Sequence, residues 1–253
     1  MSSMTIALIT FAGIFCGALL GMCLSRVLPE HHLSNESKET VKLGAGLIAT
    51  MAALVLGLLV GSAKSSFDAM NNGLTEMGTK IIVLDRVLAH YGPDTKDLRD
   101  AVRSTIVTAM SHIWPEEKNG KVHVDDVEKA NRMEEIQVGI RNLAPRTDNQ
   151  RLLQSQALQI SSDLTQMRWM LIEQRHKSLP QTFLVVLVFW LAMLFASFGL
   201  FAPRNATVIT VLFISAVSVA GALFLILEMN SPLDGMIKVS SAPLHKALEH
   251  IGK

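Results

Sequence analysis

The sequence predicts an all-α membrane protein: four transmembrane helices, with a helical-bundle cytoplasmic domain inserted between the second and third spans. Three observations carry this. Four uncharged apolar blocks are each long enough to cross a hydrocarbon core of roughly 30 Å. An apolar series stepping alternately three and four residues continues out of the second block, the seam of a helix that packs on another helix. No stretch alternates with the period of a strand. Composition agrees, since the 253 residues are 49% hydrophobic and 18% charged, with the apolar residues gathered in blocks. A net charge of +1 gives no electrostatic case for nucleic acid as a partner.

The first span runs from Met4 to Leu24. Its head, Met1-Ser2-Ser3-Met4, has no Lys or Arg, so it reads as a retained helix rather than a secretory signal. Gly13, Gly17 and Gly21 recur at every fourth residue and mark a close-packing face. Cys16 and Cys23, the only two cysteines, share one face and are expected to be buried as small apolar residues. Side chains within one helix diverge too far for a disulfide. A polar connection, Arg26 to Lys42, follows, with Pro29 ending the helix. It holds His31-His32 and Glu36. Adjacent histidines point apart, so no metal site is expected there.

The second span covers Leu43 to Ala63. Gly46, Thr50, Ala53, Gly57 and Gly61 lie on one face, the last two as G-x-x-x-G. Leu47, Met51, Leu54 and Leu58 lie on a neighbouring face. The spacing fits ordinary helix packing and also fits a pore helix with a narrow apolar face. Past Lys64 the seam continues through Phe67, Met70, Leu74, Met77, Ile81, Leu84, Leu88 and Tyr91. No proline intervenes before Pro93, so one long helix is expected. Asp68, Asp85 and Arg86 on it read as a solvated face.

The remaining insert is helical. Asp94 or Thr95 caps a helix to about Ile113, with Leu98, Val102, Ile106, Ala109 and Ile113 inward. Glu116 to His123 is a turn, Val124-Asp125-Asp126 opens a helix to about Leu143, and Ala144-Pro145 stops it. A further helix from Thr147 to Ser178 carries Leu153, Ala157, Ile160, Leu164, Met167 and Leu171. Two seams on helices that both abut spans imply a bundle standing on the membrane. Pro180 resets the chain. Phe183 to Ala202 is the third span, Pro203-Arg204-Asn205 a tight turn, Thr207 to Leu227 the fourth span, and Leu244 to Ile251 a short helix in the tail. The segments are thus 1–63 for the first two spans, 64–180 for the cytoplasmic bundle, 181–228 for the third and fourth spans, and 229–253 for a cytoplasmic tail. Lys64, Arg175, Lys177, Lys238, Lys246 and Lys253 outnumber Arg26, Lys38, Lys42 and Arg204 across the membrane. This excess places the insert and both termini in the cytoplasm.

No catalytic motif occurs: neither H-E-x-x-H, G-x-S-x-G, a Walker loop nor paired cysteines. No enzymatic activity, metal or cofactor is expected. The spans carry no Asp, Glu, Lys, Arg or His between their ends. Glu228 sits at the end of span four, where water or headgroups would reach it. A coupled transporter needs an ionisable group near the midplane, so this class is disfavoured. A channel does not need one, because a pore can be lined by apolar side chains and hydroxyl dipoles. Thr50, Ser62, Ser215 and Ser218 are the hydroxyls available. Four spans do not enclose a pore alone, so a channel requires an oligomer about one axis.

Two stretches carry a resemblance. Leu58-Leu59-Val60-Gly61-Ser62-Ala63-Lys64-Ser65-Ser66-Phe67-Asp68 looks like a second helix leaving the membrane through a basic residue, an aromatic and an Asp. Leu227-Glu228-Met229-Asn230-Ser231-Pro232-Leu233-Asp234-Gly235 looks like an acidic-x-x-x-Pro-x-x-Gly exit of a last span. With the overall layout, these make the chain similar to the bacterial bestrophin-like domain family and, more distantly, to the bestrophin ion channels. The resemblance implies a ring homo-oligomer, a pentamer, in the bacterial inner membrane, with the second helix of each subunit around the axis. Pore-lining candidates are then Thr50, Leu54, Leu58, Gly61 and Ser62, with a neck at Leu54, Leu58 and Gly61. Lys64, Phe67, Asp68, Glu228, Pro232 and Gly235 form the membrane-exit and tail motif. Leu and Gly stand where the animal channels have aromatic neck residues, and their acidic calcium clasp has no counterpart here. The implied partners are the lipid bilayer, further copies of the chain and inorganic ions. The alternative is a non-conducting membrane scaffold or sensor whose cytoplasmic bundle binds a partner.

Overall fold

A computed structural model describes residues 2–29, 34–114, 126–176, 181–233 and 235–252. Among these, eight α-helices and one short 3-10 turn account for the regular structure, and no strand occurs. The His31-His32 pair and the turn expected at 116–123 lie outside the described residues. Four helices are long and apolar enough to cross a membrane.

The chain divides into two units, residues 1–67 with 177–238, and residues 68–176 with 239–253. In the first unit α1 spans Ser3–Val27. Ser2 caps it, its Oγ accepting the Thr5 N–H at 3.2 Å, which satisfies one of the donors a helix start leaves orphaned. Next comes α2, Asn35–Tyr91, a single helix of 57 residues. It begins well before Leu43, because Asn35 to Lys42 contains no breaker. Only its first part belongs to this unit. The third apolar helix, α6, spans Gln181–Phe201, and the fourth, α7, spans Ala206–Met229. The turn between them closes through Asn205, whose Oδ1 accepts the Val208 N–H at 2.8 Å.

α1 and α6 approach closely through small residues. A Cβ on Gly17 would lie 2.8 Å from the Ala192 carbonyl oxygen. One on Gly21 would strike the Ala196 carbonyl, and one on Gly199 the Ala18 carbonyl. Without a hydrophobic driving force between helices in lipid, close backbone packing of this kind holds a pair together. Gly13 has open space around it, so the expected stripe is used at two of its three positions. Ile14, Ala18, Leu187, Ala216 and Leu223 are buried among these helices. Phe213 stands edge-on to both Phe11 and Phe15, with centroids 5.4 and 5.5 Å away. Cys16 and Cys23 are exposed rather than buried. The inward face of α1 is taken by Ala7, Thr10, Ile14, Gly17, Ala18, Gly21 and Met22, which turns both cysteines outward.

The second unit is built on the distal part of α2. Met70, Leu74, Ile81, Leu84, Leu88 and Tyr91 are buried, as the three-four stepping requires, and Met77 is half-buried; Phe67, also half-buried, is the last residue of the first unit on this helix. A 3-10 turn, Pro93–Thr95, leads into α3, Lys96–Ile113. Thr95 occupies the cap position of α3, but its hydroxyl makes no cap bond there. Instead it donates back to the Leu88 carbonyl at 2.5 Å, closing the end of α2. On α3, Val102, Ile106 and Met110 are buried and Ala109 is exposed. The inward stripe steps by four to a large side chain and ends at Trp114, whose indole N–H donates to the Val239 carbonyl at 3.0 Å. α4 spans Asp126–Arg141, α5 spans Asp148–His176 and α8 spans Ala242–His250. Gln154 donates to the carbonyls of Ile140 and Arg141 in the last turn of α4 and of Leu143 just beyond it, where a helix end leaves acceptors without intrahelical partners.

Candidate functional site

α2 has two sides in its apolar part. Ala52, Leu59 and Ala63 are buried against the rest of the first unit, with Ala45, Ile48, Val55 and Leu56 packed partly beside them. The five pore-lining candidates lie on the other side. Leu54 is 71% exposed and Leu58 65%, and Thr50, Gly61 and Ser62 are also exposed. At about 3.6 residues per turn these five fall within an arc of about 120°, so they share a face. Leu47 and Met51 lie in the same arc and are exposed. Thr50 Oγ1 donates to the Gly46 carbonyl at 2.9 Å, which satisfies its proton and leaves oxygen lone pairs as its outward polarity. The G-x-x-x-G of α2 packs on nothing among the described residues of its own chain: a Cβ on Gly57 or Gly61 would find no atom within 4 Å. Within the chain, then, the packing seen for the α1 glycines is not repeated.

Burial separates α2 from the other three apolar helices. Its most apolar stretch is 11% buried, against 39% for α1 and 28% for α6 and for α7. The apolar helices carry large hydrophobic side chains on their outer faces as well as inside, among them Leu8, Leu20, Val185, Phe189, Val211 and Ile214, and α2 offers its own chain the least.

The membrane-exit and tail residues have more definite local roles. The Lys64 ammonium lies 5.8 Å from the Phe67 ring centroid, within cation–π range. Lys64 is exposed, while Phe67 and Asp68 are half-buried. Glu228 is 4% exposed, which corrects the expectation that water or headgroups reach it. Its Oε2 accepts the backbone N–H of Met236 in a short bond and that of Ile237 at 3.4 Å. The chain turns to bring those amides round, with Gly235 N–H donating to the Ser231 carbonyl at 3.0 Å and Pro232 buried in the turn. A Cβ on Gly235 would sit 2.5 Å from Glu228 Oε2. The acidic-x-x-x-Pro-x-x-Gly motif is therefore a latch: the acid supplies the acceptor, the proline starts the turn, and the glycine leaves room for the carboxylate.

Two charged features escaped sequence reading. Asp85 is buried rather than solvated, paired with Arg99 through two hydrogen bonds of 2.7 and 2.9 Å. It lies four residues after Ile81 and one after Leu84, both on the seam, and that position was the available signal. The hydrogen bond to Asp85 holds the Arg99 guanidinium above its ordinary range. On the neighbouring face Lys80 Nζ meets Asp163 Oδ2 at 2.8 Å, and Gln159 donates to the other carboxylate oxygen. These hydrogen bonds lower the Asp163 carboxyl, and the bond to Asp163 raises the Lys80 ammonium.

Comparison with known proteins supplies a family. A family model described as Bestrophin-like domain matches residues 12–244. No curated protein matches the chain, and no solved structure does.

Proposed function

The chain belongs to the bestrophin-like family, and from that premise we propose that it forms a ring homo-oligomer in a membrane and conducts ions through a pore lined by α2. The single observation that supports this reading is the open face of α2. Leu54, Leu58 and Gly61 are presented together and left uncovered by their own chain, on the least buried of the four apolar helices. A face of small and aliphatic residues lets neighbouring copies of α2 approach closely, and one chain alone has too few spans to surround water. Around a common axis, Leu54 and Leu58 would form an apolar neck that gates by wetting and dewetting, with Thr50 and Ser62 as the polar steps beside it.

In this reading the insert, the tail and both termini are cytoplasmic, following the Lys and Arg excess on that side, and five subunits are the number the family resemblance implies. No enzymatic role is proposed. Neither calcium nor a particular ion is assigned as stimulus or cargo. The test is current from purified protein in planar bilayers, with Leu58→Ala altering conductance or open probability. A protein electrically silent across voltage, pH and calcium supports the alternative, a membrane scaffold whose helical bundle binds a partner. The exposed Trp169 and Met170 on α5 favour that second reading.

A further inference from the structure

Within the first unit, two contacts mark the seam between α1 and α7. At one end Arg204, in the turn before α7, donates from Nη2 to Ser25 Oγ in the last turn of α1 at 2.6 Å. Ser25 Oγ in turn donates to the Met22 carbonyl at 2.8 Å, so the hydroxyl is held in place to receive the arginine. Further along, Phe213 on α7 stands edge-on to Phe15 on α1, with centroids 5.5 Å apart. The two helices therefore run antiparallel. Arg26 follows Ser25 directly, with Cα atoms about 3.8 Å apart, which puts its guanidinium within reach of the one anchored at Ser25. Both arginines are exposed, and neither has a carboxylate partner among the described residues. A guanidinium carries five donors, and only one of those of Arg204 is taken by Ser25.

The seam below the arginines is apolar and open. Leu19 and Phe15 precede Arg26 by about two and three helical turns and share its face. Leu19 is 37% exposed, and Ile209 and Phe213, one turn apart on α7, are 39% and 45% exposed. From Ser25 to Phe15 the helical rise is about 15 Å, which is about half of a hydrocarbon core of roughly 30 Å. A pair of cations over an apolar track one leaflet deep matches a phosphate carrying an acyl chain. Free phosphate leaves the track unfilled. A zwitterionic lipid brings its own cation against two guanidiniums, whereas planar guanidinium forks suit phosphate oxygens. We propose that this seam binds one anionic phospholipid of the phosphatidylglycerol class, its phosphate bridging Arg26 and Arg204 and one acyl chain lying between Leu19 and Ile209 towards the Phe15–Phe213 contact. The site rests on the membrane reading of the apolar helices and not on conduction, so an electrically silent protein leaves it standing.

The experiment is native mass spectrometry of full-length, detergent-solubilised protein titrated with phosphatidylglycerol or with phosphatidylcholine of the same chains. It is repeated on Arg26→Gln, Arg204→Gln and the double variant, with thermal melts of each to report folding. Saturable phosphatidylglycerol binding is expected, at least about tenfold tighter than phosphatidylcholine (about 1.4 kcal/mol) and weakened about tenfold by each single substitution, with melting unchanged. Equal retention of the two lipids overturns the proposal, as does phosphatidylglycerol binding that survives the double substitution. Weakening by only one of the arginines overturns the bridged phosphate. Inorganic phosphate and glycerophosphoglycerol, the headgroup without its chains, are expected not to displace the lipid at equal concentration, and displacement by either overturns the acyl track. Should Arg204→Gln lower the melt through its lost Ser25 contact, Arg26→Gln decides alone, and unchanged binding there overturns the proposal.

Discussion

Asp85 on α2 and Arg99 on α3 form a two-pronged ion pair, Nε to Oδ1 at 2.7 Å and Nη2 to Oδ2 at 2.9 Å. The carboxylate is 1% exposed. Its Oδ2 also accepts the Gly252 N–H at 3.3 Å, so one buried acid ties together two helices and the end of the tail. Removing one partner leaves a buried charge unpaired. Arg99→Met is expected to destabilise the second unit by about 3–5 kcal/mol. The double variant Asp85→Asn with Arg99→Met should recover much of that loss. Chemical denaturation of the solubilised protein, followed by helical signal, measures both. Equal losses in the single and double variants would remove the charge argument.

The Glu228 latch separates acceptor from charge. Glu228→Gln keeps an oxygen for the Met236 and Ile237 amides and should be mild. Glu228→Leu leaves those amides without their acceptor and should cost about 1–3 kcal/mol. Gly235→Val drives side-chain carbon into the carboxylate and should match or exceed the Leu variant. Limited proteolysis near residues 231–238 is the readout, with cleavage faster in the last two variants only.

The glycines of α1 and α6 should behave unlike those of α2. Gly199→Val pushes side chain into the Ala18 backbone, and loss of the folded span unit is expected. Gly61→Val meets open space in its own chain and should leave the melting of a single chain near wild type. If copies of the chain assemble around α2 as proposed, it should change subunit contacts or conductance. Thermal melts paired with native mass measurement distinguish the two outcomes.

The Lys80–Asp163 bridge has a defined pH window. The Asp163 carboxyl is lowered from its ordinary 3.8, so its contribution is present above that value and is lost as pH falls through the lowered one. The Lys80 ammonium is raised from 10.5, so its contribution holds below 10.5 and is lost as pH rises through the raised value. Both groups are part-exposed, and exposed bridges contribute little. Asp163→Asn should therefore lower the melting temperature slightly across neutral pH. The difference from wild type should begin to narrow near pH 3.8 and close only as pH falls through the lowered value, since protonated Asp163 resembles the amide. A gap that stays constant with pH would contradict the assignment.

The helical class and the unbroken run from Leu43 to Tyr91 were legible because both rest on periodicity, which a single sequence displays. Met70, Leu74, Ile81, Leu84 and Leu88 are buried in the order their spacing gives. Features set by a distant partner were not legible. Asp85 reads as solvated until Arg99 is brought beside it, and Cys16 and Cys23 read as buried until the small residues of α1 take the inward face. Glu228, Pro232 and Gly235 could be picked out as a motif, but their shared purpose depends on amides at Met236 and Ile237 curling back. The pore candidates were legible only as a face. Their common exposure on α2 leaves them to a second copy of the chain or to lipid.

Single-channel recording decides between those two. In a Cys16→Ser, Cys23→Ser background, Leu58→Cys protein is reconstituted in a planar bilayer and a charged thiol reagent is added. Discrete current steps that the reagent blocks or rescales are expected if Leu58 lines the conducting path. Steps that persist unchanged after complete labelling of the introduced thiol would contradict an α2-lined pore, as would a silent bilayer holding intact oligomer.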